Sequence, residues 1–129
     1  MSIRIVRLGS PRAPDEGTRI GTVRRPPRGV PKSEFSRQNW YDVWFPVLAP
    51  SVETMKLGQA AETPAQWTAF VKRYRKEMAA PEAAQALALL SALSKDSSFS
   101  VGCYCEDEAH CHRSVLRELL KEQGAKVQT

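Results

Sequence analysis

Phe99-Ser100-Val101-Gly102-Cys103-Tyr104-Cys105 decides how the rest of this chain is read. In an extended segment side chains alternate, so Phe99, Val101, Cys103 and Cys105 share one face and Ser100, Gly102 and Tyr104 the other. Neither face carries a charge until Glu106. A strand covered on both sides has this composition, as in a parallel sheet with helices packed over it. From Cys111 the period turns helical: Val115 and Leu119 align with Cys111, and Leu116 and Leu120 with His112. Gly124 is placed to cap that helix.

Upstream, Ile3, Ile5, Val6 and Leu8 read as a short strand, and Arg19 to Val23 as a second. Trp40 and Trp44 stand four apart, as on one face of a short helix bounded by Pro46 and Pro50, and with Tyr41 and Phe45 they are read as core. Thr63-Pro64-Ala65-Gln66 is a helix start, with a capping threonine, a proline at the first helical position and a glutamine to complete the box. Trp67, Phe70, Val71, Tyr74 and Met78 follow at helical spacing, with Lys72, Arg73, Arg75 and Lys76 on the wet side. Pro81 opens another helix, whose apolar side is Ala83, Ala86, Leu87, Leu90 and Leu93. Val127 is placed to begin a last strand. Strand, helices, strand and helix in this order predict one α/β domain over residues 1–129: a small layered fold with a mostly parallel sheet flanked by helices.

The bulk properties agree. A chain of 129 residues with 42% hydrophobic content builds one core and is not globally disordered. A net charge of +5 favours acidic partners, either nucleic acid or small phosphorylated ligands. The three cysteines are an odd number. Two of them lie one residue apart, a poor spacing for a disulfide, so a reduced protein in the cytoplasm is expected. No apolar stretch reaches membrane-spanning length, and no membrane partner is expected.

Residues 103–113 hold every cysteine and both histidines of the chain. They sit where the best strand gives way to the last helix, and in α/β sheets ligands settle beyond the carboxyl ends of strands. Cys111 lies at a helix start, where free amides and the helix dipole favour a thiolate; the alternative is an inert thiol continuing the Val115–Leu119 stripe. His112 is placed to move protons, or is a structural histidine. Arg113 is placed to grip an anion at the helix start, or belongs to a solvated basic face with Arg117 and Lys121. A soft metal such as zinc is a further option, held by Cys103, Cys105, Cys111 and His110. Apart from this stretch, Arg24-Arg25-Pro26-Pro27-Arg28-Gly29-Val30-Pro31-Lys32 forms a stiff, extended basic loop over residues 24–32. It either contacts phosphate or serves as a solvated connector.

Cys111-His112-Arg113-Ser114-Val115-Leu116 after a strand-ending cysteine and an acidic loop resembles the domain-of-unknown-function family four-eight-eight. Arg28-Gly29-Val30-Pro31-Lys32, Leu48-Ala49-Pro50-Ser51, and Trp67 with Phe70 and Tyr74 before Glu77 carry the same resemblance, which spans about Gly21 to Gly124. It implies a compact α/β domain without a settled activity. It places the site at Cys103, Cys111, His112 and Arg113, with Arg28 and Lys32 contributing. Many relatives carry an acid two residues after the strand cysteine. Here that position is Cys105, with Glu106 beside it, so these two are the candidates for that ligand-contacting place. The expected function is a thiol-dependent pocket, Cys111 acting with His112 and Arg113 on a phosphorylated or nucleotide-like ligand. The alternatives are a nucleic-acid-binding module using the basic loop and a metal or redox sensor using the cysteines.

Overall fold

A computed structural model describes residues 1–105 and 110–128. The acidic loop, and with it the expectation for Glu106, lies outside the described residues.

The chain forms a four-stranded, all-parallel sheet in the order β1-β4-β2-β3. The strands are β1 (Ile3–Arg7), β2 (Thr18–Gly21), β3 (Val43–Trp44) and β4 (Phe99–Cys103). β4 is central and every one of its residues is buried, as its charge-free composition predicts. Ile3 and Thr18 stand opposite Phe99, and Arg7 stands opposite Cys103. Gly102 is needed here: a side chain would press into the Val6 carbonyl of the neighbouring strand. The expected last strand is a single bridge from Val127 to Ile3, with Ile3 donating to the Lys126 carbonyl at 2.8 Å.

Four helices gather on one face: α1 (Val52–Gln59), α2 (Pro64–Met78), α3 (Pro81–Leu93) and α4 (His112–Glu122). Ile3, Phe99 and Val101 of the sheet pack with Phe70, Tyr74, Leu87, Leu90, Leu116 and Leu120 of these helices, and Leu57 of α1 packs against the same cluster. α2 starts with a full capping box between Thr63 and Gln66. α4 ends ahead of Gly124, which adopts φ +87, the left-handed conformation that glycine accepts without strain. The buried Tyr74 hydroxyl donates to the Leu48 carbonyl at 2.6 Å, tying α2 to the segment that precedes α1.

The opposite face of β4 is polar, and loops cover it. Arg19 and Glu16 form an ion pair there at 2.7 Å, with side chains 0% and 2% exposed. Ser100 donates to Glu16 at 2.7 Å, and Arg19 also donates to the Ser10 and Asn39 carbonyls at 2.9 and 2.7 Å. Burial pushes the Glu16 carboxyl up, but the hydrogen bonds from Arg19, Ser100 and the Ala13 amide outweigh it and leave the group below its ordinary range.

Expectations change in the aromatic segment and at the end of α3. Trp40 and Trp44 are not on a helix: Val43 and Trp44 form β3 beside Ile20 and Gly21. Tyr41 is buried over Gly21, whereas Trp44 remains 44% exposed and its indole donates to the Val23 carbonyl at 2.8 Å. Leu93, the last residue of α3, is 43% exposed and lies outside the core. Helix α1 has no strong sequence signal, and its N-cap Ser51 draws support from far away by donating to Glu77 of α2 at 2.6 Å. Among the described residues no helix is long and apolar enough to cross a membrane.

Candidate functional site

A cleft of about 1170 Å³ opens at the carboxyl ends of β1, β2 and β4. This is where parallel sheets place ligands, because the strand ends and the following loops converge there. Its floor is a second, smaller apolar cluster, in which Leu8, Val23, Tyr41, Cys103 and Cys111 pack together. Arg7, Arg25, Arg28, Trp40, Trp67 and Tyr104 stand around it.

Cys103 is the last residue of β4, and Cys111 is the N-cap of α4. The helix is tied at this corner by Ser114, whose amide and hydroxyl donate to the Cys111 carbonyl at 3.1 and 2.9 Å. The two sulfurs meet in the disulfide position, 1% and 3% exposed by residue. Their Cα atoms are 8.0 Å apart, beyond the roughly 4.4–6.8 Å that a disulfide spans. The pair therefore lacks the backbone geometry of a structural crosslink, and its two sulfurs are aimed at one point.

His112 follows Cys111 and is buried under the same floor. Its Nε2 lies 2.8 Å from the Thr22 carbonyl, which accepts only, so Nε2 carries the proton. Nδ1 is then the bare nitrogen, and it faces Cys111 Sγ at 3.8 Å. Burial, aided by the nearby Arg113 charge, pushes the imidazole down to about 4 against the raising effect of the Thr22 bond. At neutral pH His112 is an uncharged ring with a fixed tautomer and one lone pair directed at sulfur. The Cys103 and Cys111 sulfurs and a His112 ring nitrogen all lie within 4.8 Å of one another.

Arg113 sits elsewhere. It is 4% exposed and donates to the Cys105 carbonyl at 2.6 Å, bracing the turn after β4, and it does not line the cleft. The anion grip expected of Arg113 thus has no place in the cleft, where other cations stand. Arg28 and Arg25 are exposed on the cleft side, and neither guanidinium forms an ion pair among the described residues. Arg24 is committed to the Ala49 and Pro50 carbonyls at 3.1 and 3.2 Å, and the Tyr104 hydroxyl fixes the loop by donating to the Arg25 carbonyl at 2.8 Å. Lys32 is exposed in a 3-10 turn outside the cleft lining.

Cys105 and His110 both reach the cleft, but neither joins the buried trio. The Cys105 thiol is raised by burial, against the lowering effect of Arg113 and Arg7. His110 is exposed and meets Trp67 edge-on, with ring centroids 5.6 Å apart. The trio thus takes His112 where the sequence suggested His110, and it leaves out Cys105. Sequence reasoning also missed Thr22, Arg7 and Trp67 as parts of the site. Trp67 fitted the core stripe, and nothing local marks Thr22 as the partner of a histidine 90 residues away.

Neither a curated protein nor a solved structure matches this chain. A family model described as the active DUF488-N3 subclade matches residues 3–124, nearly the whole domain that builds the sheet, the cleft and the Cys-His corner, and the chain therefore belongs to the DUF488 family of domains of unknown function.

Proposed function

We propose that the cleft is the site of a thiol-dependent reaction on a phosphorylated, nucleotide-like ligand. Cys111 is its nucleophile and His112 Nδ1 the neutral acceptor that holds the thiol in line. One observation carries the reading: a histidine tautomer fixed by the Thr22 carbonyl points its lone pair at a helix-capping cysteine on the floor of a cleft. A thiolate at a helix N-terminus is favoured by the dipole and the free amides, and a neutral ring nitrogen in line fixes the direction of the sulfur. Arg25 and Arg28 supply charge for a phosphate, and Trp40, Trp67 and Tyr104 supply flat surfaces for a base. Cys103 stands against the nucleophile and shields it within the apolar floor.

The test is alkylation of Cys111 by iodoacetamide in a Cys105→Ser background, followed by mass spectrometry across pH. The expected midpoint lies below the free-thiol value of about 8.5. Adenosine monophosphate is expected to slow the alkylation. An ordinary thiol profile with no protection by the nucleotide would overturn the proposal.

The same rim also suits a single-stranded nucleic acid, whose phosphates and bases need the same partners. The salt dependence of oligonucleotide binding separates the two. A strand held by several phosphates shows a steep slope, whereas a mononucleotide shows a shallow one.

A further inference from the structure

We propose that Cys103 Sγ, Cys111 Sγ and His112 Nδ1 form a three-ligand site for a soft divalent cation of the zinc class, with its fourth position open to the cleft. The inference uses the sulfurs of the thiol reading but does not depend on catalysis. It rests on spacing, on tautomer and on charge.

The spacing comes first. Around a tetrahedral zinc, sulfur and nitrogen ligands sit about 3.5–3.8 Å from one another. Here Cys111 Sγ and His112 Nδ1 are already 3.8 Å apart and the three ligand atoms lie within 4.8 Å, while the two sulfurs touch and part to admit the cation. A cysteine Cα separation of 8.0 Å is too wide for a sulfur–sulfur bond, and an inserted cation lengthens the link between two sulfurs by well over 1 Å. The backbone thus leaves room for the sulfurs to part around a cation.

The tautomer is the second observation. A metal-binding histidine characteristically donates its other ring N–H to a carbonyl or carboxylate, which aims the bare nitrogen and raises its basicity. His112 makes this bond to Thr22 at 2.8 Å. The Thr22 amide in turn donates to the Gly102 carbonyl at 2.9 Å, and its hydroxyl to the same carbonyl at 3.0 Å, so the partner is held by the central strand.

Charge balance is the third. Binding removes one proton from each thiol and leaves a divalent cation with two thiolates and a neutral imidazole. The assembly is electrically neutral, as a nearly solvent-free pocket requires. A third thiolate from Cys105 would leave it anionic. All three ligating residues border the cleft, so a water or a donor group of a bound molecule takes the fourth position, the arrangement of zinc sites that keep a coordination place open. A filled site ties up the Cys111 lone pairs. Zinc is thereby an inhibitor of the thiol reaction proposed above.

The experiment titrates the reduced full chain with zinc alone and with cobalt(II) alone. The expected result is one equivalent bound, about two protons released per zinc near neutral pH, and a cobalt spectrum with thiolate charge-transfer absorption and strong tetrahedral d–d bands. The Cys105→Ser, His110→Ala double variant binds as the parent does. Cys103→Ser, Cys111→Ser and His112→Gln each lose at least about tenfold in affinity. If one of these fails to fold, the cobalt spectrum of the parent still reports the ligand types. A spectrum without thiolate absorption, fewer than one proton released per metal, or loss of binding in the Cys105, His110 variant overturns the site. Absent zinc binding with nucleotide protection of Cys111 intact removes the metal site alone, whereas tight zinc binding with an ordinary Cys111 profile removes the thiol reading alone.

Discussion

Two buried polar clusters lie on this sheet, and they are finished differently. On the loop-covered face, Arg19 meets Glu16 and the carbonyls of Ser10, Pro11 and Asn39, Ser100 donates to Glu16, and the cluster closes on itself. At the carboxyl end, Cys103, Cys111 and His112 converge on a point that borders a cleft, and the lone pair of His112 Nδ1 points at a sulfur. A closed network of buried charge holds a fold in register. An open cluster of soft, reactive atoms adds little to stability and is arranged to meet something else. The ion pair is partnered wholly within the fold, whereas the cysteine corner borders open space.

The largest effect that tests this contrast is on stability. Arg19→Ala strands the Glu16 carboxylate in the interior and is expected to cost about 3–5 kcal/mol in urea unfolding. Cys111→Ala removes a small side chain from a modest cluster and is expected to cost about 1 kcal/mol. Equal losses would erase the distinction between the two clusters.

Acid sharpens it next. Asp42 borders the closed network: it accepts the Arg19 amide at 2.8 Å and two bonds from Arg12 at 2.9 Å each, as well as the Ser36 hydroxyl. Burial pushes this carboxyl up, but the bonds from Arg12, Arg19 and Ser36 prevail and bring it down to about 2. A depressed carboxylate stabilises the fold above its unfolded value near 4 and loses that contribution as pH falls through about 2. Partial exposure screens the pair, so the amount is about 1 kcal/mol. Asp42→Asn is expected to flatten unfolding midpoints between pH 4 and 2, as read by circular dichroism. Cys111→Ala is expected to leave that slope unchanged.

The smallest stability effect is at the rim. Arg28→Ala is expected to shift unfolding by no more than about 0.5 kcal/mol. It is also expected to weaken adenosine monophosphate binding about threefold to tenfold, measured by quenching of tryptophan fluorescence. Lys32→Ala, outside the cleft lining, serves as the control and is expected to change neither.

What the sequence revealed follows from how local each signal is. Phe99 to Cys103 was legible because a strand buried on both faces writes its environment into consecutive residues. Thr63 and Gln66 were legible because a capping box is complete within four positions. Trp40 and Trp44 misled, since a spacing of four also arises when a turn runs into a two-residue strand. Arg19 looked like an ordinary strand residue, and its burial depends on Glu16, Ser10 and Asn39, which no periodicity joins to it. The structure brings Cys103, Cys111 and His112 together at the end of β4. Choosing between His110 and His112 depended on a carbonyl in a distant loop, and the direction of Arg113 depended on the carbonyl of Cys105.

Cys103 belongs to the sheet, whereas Cys111 and His112 are the first residues of one helix end. A slide of α4 along its own axis therefore carries the imidazole and one sulfur together and leaves the other sulfur behind. Any occupant that touches both sulfurs rivets a helix to a sheet. Its arrival should be felt along the backbone as slower amide exchange through the first turn of α4, a mechanical signature that requires no knowledge of the reaction.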